Sequence, residues 1–423
     1  MKKITAFLLL FFLSFFIFRG ALSVFFVQDD FILINQFFKG NLIADIIRTF
    51  AYPEVTHWRP VHNLYFMLLG NVFEKNYYMY HIVAFIIHFA CSFLIFKIVS
   101  KIIKSEVLAY FTSLLYIVHP VHLVSLFWIS GNATSIAFLF FLLSFYYFLS
   151  KKRNFSLIFY LISILASEAM IFTFPIFLIR TYLFDNIKSE KKYFIKLFCI
   201  TVIFTITKWF LTPKETFNTY RLEFFKGVFT SIKYYILRVL GFGESSGDFN
   251  LSIALIIFYI ILFFSFFKTK TTWEKIKKYL MSVVIIISGL FPFILIPNHL
   301  SPHYMNISVW GFAFFIVLTL ENLKLKNQII FVGFFVLVSI ITVNNLVKNS
   351  WVIDRSRIAQ EYINQIEKVN VEQGSTIIFN DNDISTSYEA YISLGTGEAL
   401  NFYFPDKNYK MCFTEFENCQ ALP

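Results

Sequence analysis

The sequence predicts an all-α polytopic protein threaded through a membrane about eleven times. Two observations carry that expectation. Of 423 residues, 57% are hydrophobic and only 15% charged, giving a mean hydropathy of +0.66 and too little polar side chain to cover a soluble globule. The remaining lysines and arginines are bunched into loops that alternate with loops carrying other chemistry. The 59 Phe and 23 Tyr accompany abundant Ile, Lys and Asn, as in an AT-rich genome, so no aromatic cluster reads as a ligand cage.

The first apolar run, 4–27, follows Lys2 and Lys3. Its opening part resembles a signal peptide, but the run resumes after Arg19 and reaches Val27, a spanning length, so a retained helix is expected. A long outer loop follows, 28–76, with amphipathic stretches at 31–50 and 60–73 that read as lying along the interface. In the second stretch Val61, Leu64, Tyr65, Leu68, Leu69 and Val72 recur at helical spacing and leave His62 and Asn63 on another side. Pro60 suits a first helical turn. Further crossings are expected at 77–99, 107–120, 132–149, 154–166, 169–184, 193–211, 251–267, 279–297, 305–320 and 328–346, the pair around Glu168 being short.

Lys97, Lys101, Lys104, then Lys151, Lys152, Arg153, then Lys188, Lys191, Lys192, then the lysines of 268–278, then Lys324 and Lys326 fall on one side, with Lys2 and Lys3. Short cytoplasmic loops are enriched in such residues, so that side is read as cytoplasm and the protein as a multi-pass protein of the cell membrane. The net charge of +11 then follows from topology and anionic lipid, and no motif points to nucleic acid. Residues 1–348 form the membrane unit. Residues 349–423 turn polar and read as a small outward domain of mixed α/β type, with a helix at 357–369 and strands at 375–380 and 399–404. Cys91 and Cys199 sit in apolar runs; Cys412 and Cys419, with six residues between them, could close a small disulfide in an oxidising compartment.

The candidate chemistry lies on the outer face. Asp29 and Asp30 are adjacent carboxylates, each raising the other's pKa, and suit either catalysis or the capping of a following helix. Arg59 either holds a phosphate or snorkels to head groups. Lys208, Arg221, Arg238 and His303 are further phosphate candidates, and Glu168, costly between two apolar halves, needs a partner. His119 and His122, with Pro120 between, suit either a metal or backbone carbonyls.

Taken together, Asp29-Asp30-Phe31, His57-Trp58-Arg59-Pro60-Val61, Tyr80-His81 with His88, His119-Pro120-Val121-His122 and Trp128-Ile129-Ser130-Gly131 resemble the membrane glycosyltransferases of the C superfamily (GT-C). The TMTC-like and protein O-mannosyltransferase branch is the most similar. The resemblance covers roughly residues 20–180, with weaker echoes at Ser167-Glu168 and His303-Tyr304. It implies sugar transfer from a polyprenyl-phosphate donor lipid to a hydroxyl acceptor, a protein Ser or Thr, a lipid or a surface glycan. An acidic residue of the first outer loop would be general base, a role falling on Asp29 with Asp30 in support. Membrane-proximal cations would hold the lipid phosphate, a role falling on Arg59, His119, His122 and His303. The second aspartate would orient the first, bind a sugar hydroxyl or hold a divalent metal such as Mg or Mn. This chain departs from the family pattern at Val124, Asn132, Thr134, Ser167 and His303, where charged or more basic residues are usual. The other readings are a transporter or flippase of lipid-linked sugars and an inactive relative serving as a scaffold.

Overall fold

The computed structural model describes residues 3–35, 41–51, 58–212, 221–243, 249–268, 272–369, 371–417 and 419. It is a helical membrane protein. Seven helical segments among the described residues are long and apolar enough to cross a bilayer, at Tyr77–Ile103, Ser130–Leu149, Ile187–Leu211, Asn250–Phe267, Trp273–Ile294, Pro302–Leu320 and Leu325–Val369. Three of the eleven expected crossings are shorter apolar helices, at Phe7–Ser23, Glu106–Ile117 and Arg153–Ala166. The expected run 169–184 is divided into a 3-10 turn, Glu168–Thr173, and the helix Phe174–Phe184, neither long enough to span.

In chain order, α1 (Lys3–Phe18) leads through a 3-10 turn to α2 (Asp29–Asn35), α3 (Leu42–Ala51) and α4 (Pro60–Phe73). The bundle then comprises α5 (Tyr77–Ile103), α6 (Glu106–Ile117), the short α7 (His122–Phe127), α8 (Ala133–Leu149), α9 (Arg153–Ala166), α10 (Phe174–Phe184), α11 (Lys191–Leu211), α12 (Lys226–Val239), α13 (Phe249–Lys268), α14 (Trp273–Ile294), α15 (Asn306–Leu320) and α16 (Leu325–Lys348). α17 (Trp351–Val369), α18 (Ser387–Ser393), α19 (Glu398–Tyr403) and two parallel strands, β1 (Thr376–Phe379) and β2 (Lys410–Phe413), complete the chain.

Small polar residues let the helices approach. Ser92 and Ser113 hydroxyls donate to each other's carbonyls across α5 and α6, at 3.2 and 2.9 Å, and the Ser163 hydroxyl of α9 donates to Ala137 O of α8 at 2.8 Å. Such contacts replace the hydrophobic drive that lipid-facing helices lack. Between α14 and α15 a Cβ on Gly289 would stand 2.3 Å from Ser308 Oγ and 2.7 Å from Ser308 N. Gly289→Ala is therefore expected to cost about 1–3 kcal/mol of overpacking, read as a fall in Tm of the detergent-solubilised protein.

The helix ends sort by charge. At one end Lys101 reaches Ser150, Lys151 pairs with Asp185 and Glu190, Arg153 with Glu190, Arg180 with Asp185, and Lys275 with Glu321. These pairs join the lysine-rich loops that sequence placed on one side. At the other end stand the Asp29 turn, the Pro120–Asn132 turns, Glu168, Lys208 and the 295–305 loop.

α4 has the expected bounds, and His62 and Asn63 lie on its buried side with Phe66, Met67 and Gly70, while Leu68 and Val72 are 47% and 68% exposed. An apolar stripe facing lipid needs no protein cover, so the polar residues turn inward. In the tail, 399–404 is not a strand but lies mostly in helix α19; the partner of β1 is β2, which the sequence reading missed. Cys412 of β2 is disulfide-bonded to Cys419.

Candidate functional site

The segment that carries the two aspartates is fixed from outside the bundle. The Phe25 N–H donates to Ser356 Oγ of α17 at 2.7 Å, and the Gln28 N–H donates to Ser393 O of α18 at 3.1 Å. Gly395, at φ +59°, lies so close that a Cβ would be 2.5 Å from Gln28 O. A side chain there would be both strained and clashing. Phe25, Phe26 and Phe31 share one apolar cluster with Ile358, Leu394 and Phe402, so the tail packs directly on the aspartate turn.

Asp30 and Asp29 have opposite surroundings. Asp30 is fully buried. Its Oδ1 accepts from the Ser130 N–H at 2.7 Å and the Ser130 hydroxyl at 2.5 Å, and its Oδ2 accepts from the Val27 N–H at 2.9 Å. The reach back to Val27 satisfies a donor at the start of α2 in the manner of a capping box. Burial pushes the Asp30 pKa up to about 7, opposed by those hydrogen bonds and slightly reinforced by Asp29. Asp29 is an exposed residue, and its carboxyl has no hydrogen-bond or ion-pair partner among the described residues. Crowding by the surrounding elements strips hydration from its carboxyl and raises its pKa above the usual carboxylate range.

A second group gathers where α4, the Glu168 turn and α11 meet. The Arg59 guanidinium grips Glu168 through two bonds, Nε–Oε2 at 2.7 Å and Nη2–Oε1 at 2.6 Å. Lys208 Nζ stands 3.0 Å from Glu168 Oε2. Two cations thus share one carboxylate in a part-buried site. Glu168 is then the residue that orders the cations, and not itself a phosphate ligand.

His62, one turn into α4, is buried with its ring Nδ1 2.8 Å from Asn63 Oδ1. Burial first, and then the charge of Arg59, lower its pKa to about 4. The His62 ring is therefore neutral near pH 7. His303 packs its ring edge-on to Trp128 at 5.5 Å and places Nδ1 2.6 Å from Ser301 Oγ.

The two groups are linked through the Trp128–Asn132 turn. Asn132 Nδ2 donates to the Tyr65 hydroxyl of α4 at 3.1 Å, and Thr134 Oγ1 donates to His303 O at 2.7 Å. Within this turn Trp128 Nε1 and Asn132 Oδ1 are buried without a hydrogen-bond partner among the described residues, which leaves each suited to a polar group of a ligand.

Other expected residues are occupied elsewhere. His119 Nε2 is 3.0 Å from Val239 O while its Nδ1 accepts from the Val121 N–H, and His122 Nε2 is 2.9 Å from Tyr116 O. The phosphate and metal roles expected of this pair are thereby corrected to hydrogen bonding of backbone carbonyls. No group of three His, Cys, Asp or Glu among the described residues is placed to hold a metal ion, and Asp30 already spends both oxygens on protein donors. Arg238 closes the end of α12, donating to Phe242 O at 2.9 Å and to Gly243 O. It lines a separate cavity of about 60 Å³ with Pro120, Pro302 and Trp351. Arg221 is exposed just before α12, and His57 lies outside the described residues. Sequence reasoning overlooked His62, whose signal was its place one turn beyond Arg59.

Fold and site together define a multi-span helical membrane protein with a fixed carboxylate turn and a shared-cation site at one end of its bundle. Comparison with known proteins gives no matching family model and no matching curated relative.

Proposed function

We propose that this protein is a GT-C-type membrane glycosyltransferase that moves a sugar from a polyprenyl-phosphate donor to a hydroxyl acceptor outside the cytoplasmic membrane. The observation that carries this reading is the division of labour between the aspartates: one immobilised by three hydrogen bonds, its neighbour exposed and without a polar partner among the described residues. A hydroxyl is a poor nucleophile at neutral pH, and an unpaired carboxylate of raised pKa is a fitting acceptor for its proton. Asp29 takes that proton as the acceptor oxygen bonds to the anomeric carbon. The bond from that carbon to the phosphate oxygen breaks, and the lipid phosphate leaves with the electron pair.

The growing charge on phosphate needs no acid if cations meet it. Arg59 and Lys208, brought together on Glu168, supply positive charge there. Trp128 Nε1 and Asn132 Oδ1 are suited to sugar hydroxyls. The Cys412–Cys419 disulfide and the segregation of lysine loops to the opposite end both favour an outward-facing site.

Arg59→Gln tests the phosphate assignment. It is expected to raise the donor KM by about tenfold or more through loss of a charged hydrogen-bond donor, with a smaller change in kcat. An unchanged donor KM would remove Arg59 from the site.

A further inference from the structure

We infer that the lysine-rich end carries a specific site for one anionic phospholipid, in a crevice between the start of α9 and the start of α11. This inference is independent of the glycosyltransferase reading and concerns the opposite end of the bundle.

The crevice has a volume of about 200 Å³, and its lining includes Arg153, Glu190, Leu157, Lys192, Tyr193 and Lys196. Its back wall is rigid. Tyr193 is buried with its hydroxyl 2.8 Å from Ser156 Oγ, and the Arg153 guanidinium lies over the rings of Phe148 and Tyr193 while pairing with Glu190. Charge balance at this wall is one-sided. Asp185 and Glu190 are already taken by Lys151, Arg153 and Arg180. Lys192 and Lys196, four residues apart and so on one face of α11, line the crevice with no described carboxylate paired to either. Two like charges on one helix face favour an anion in the crevice between them.

The apolar flank identifies that anion as the head of an amphiphile. Leu157 lines the crevice, and one turn deeper Leu161 is 40% exposed; two turns beyond Lys196, Ile203 is 64% exposed. α9 and α11 run side by side in the same direction here, with Ser156 against Tyr193 and Tyr160 against Thr201 at 2.8 Å each. A phosphate held by Lys192 and Lys196 therefore directs its acyl chains down the groove side of both helices, toward the middle of the bilayer. Inorganic phosphate has nothing to place there.

Native mass spectrometry of the full chain in detergent, titrated with phosphatidylglycerol, phosphatidylcholine or inorganic phosphate, tests the site. Wild type is expected to hold one phosphatidylglycerol in preference to phosphatidylcholine. Lys192→Gln/Lys196→Gln is expected to weaken that binding roughly tenfold or more. The control Lys324→Gln/Lys326→Gln removes two lysines from the same end outside the crevice and is expected to leave binding unchanged. Three results would overturn the inference: undiminished binding in the crevice variant, an equal loss in the control, or equal competition by inorganic phosphate.

Discussion

Asp29→Asn is expected to abolish sugar transfer while the protein still folds, inserts and binds donor. The carboxyl makes no hydrogen bond or ion pair with the described residues, so its replacement by the isosteric amide removes no polar contact among them. What it removes is the proton acceptor. Loss of a positioned general base typically lowers turnover by about 10²- to 10⁴-fold, with donor KM little changed because the phosphate cations are untouched. Equal loss of donor binding and turnover would argue instead for a binding role.

Asp30→Asn should fail for a different reason. Its amide would keep an oxygen toward Ser130 but turn an N–H₂ toward the Val27 N–H, setting donor against donor in a buried site. Leaving a buried donor unsatisfied costs about 1–3 kcal/mol, so a marked fall in Tm is expected together with loss of activity. The pH dependence has a definite sign. Asp30 has its ordinary value near 3.8 raised to about 7 in the fold, so the folded protein binds more protons than the unfolded chain between those values. Its contribution to stability is full below about pH 4 and is lost as pH rises through about 7; Asp29, raised in the same direction, adds to the trend. Wild-type Tm should therefore fall between pH 5 and 8. Asp30→Asn should flatten that slope, and a wild-type Tm that rises with pH over this range would contradict the buried, proton-retaining carboxyl.

Local signals were legible in the sequence and long-range ones were not. Proline at the first turn and helical spacing gave the bounds of α4, and the lysine loops anticipated which helix ends gather. The same spacing left open which face of α4 turns inward, because in a bilayer lipid covers an apolar stripe as well as protein does. The apolar run at 399–404 suits a strand or a short helix equally, and its packing beneath α2 selects the helix. Asp29 and Asp30 were found as a pair, yet their roles separate only through Ser130, a hundred residues away. Likewise Glu168 needed a partner on cost grounds alone, while the identity of that partner, Arg59, depends on how α4 meets α9. His119 and His122 kept their alternatives open until the neighbouring carbonyls were in view.

The most direct test of the central claim is turnover of a panel of polyprenyl-phosphate sugars by the purified wild-type protein, read as release of polyprenyl phosphate. Donor-dependent release that requires a hydroxyl acceptor and disappears in Asp29→Asn is the predicted result. No release from any donor, or release that persists undiminished in Asp29→Asn, would contradict it.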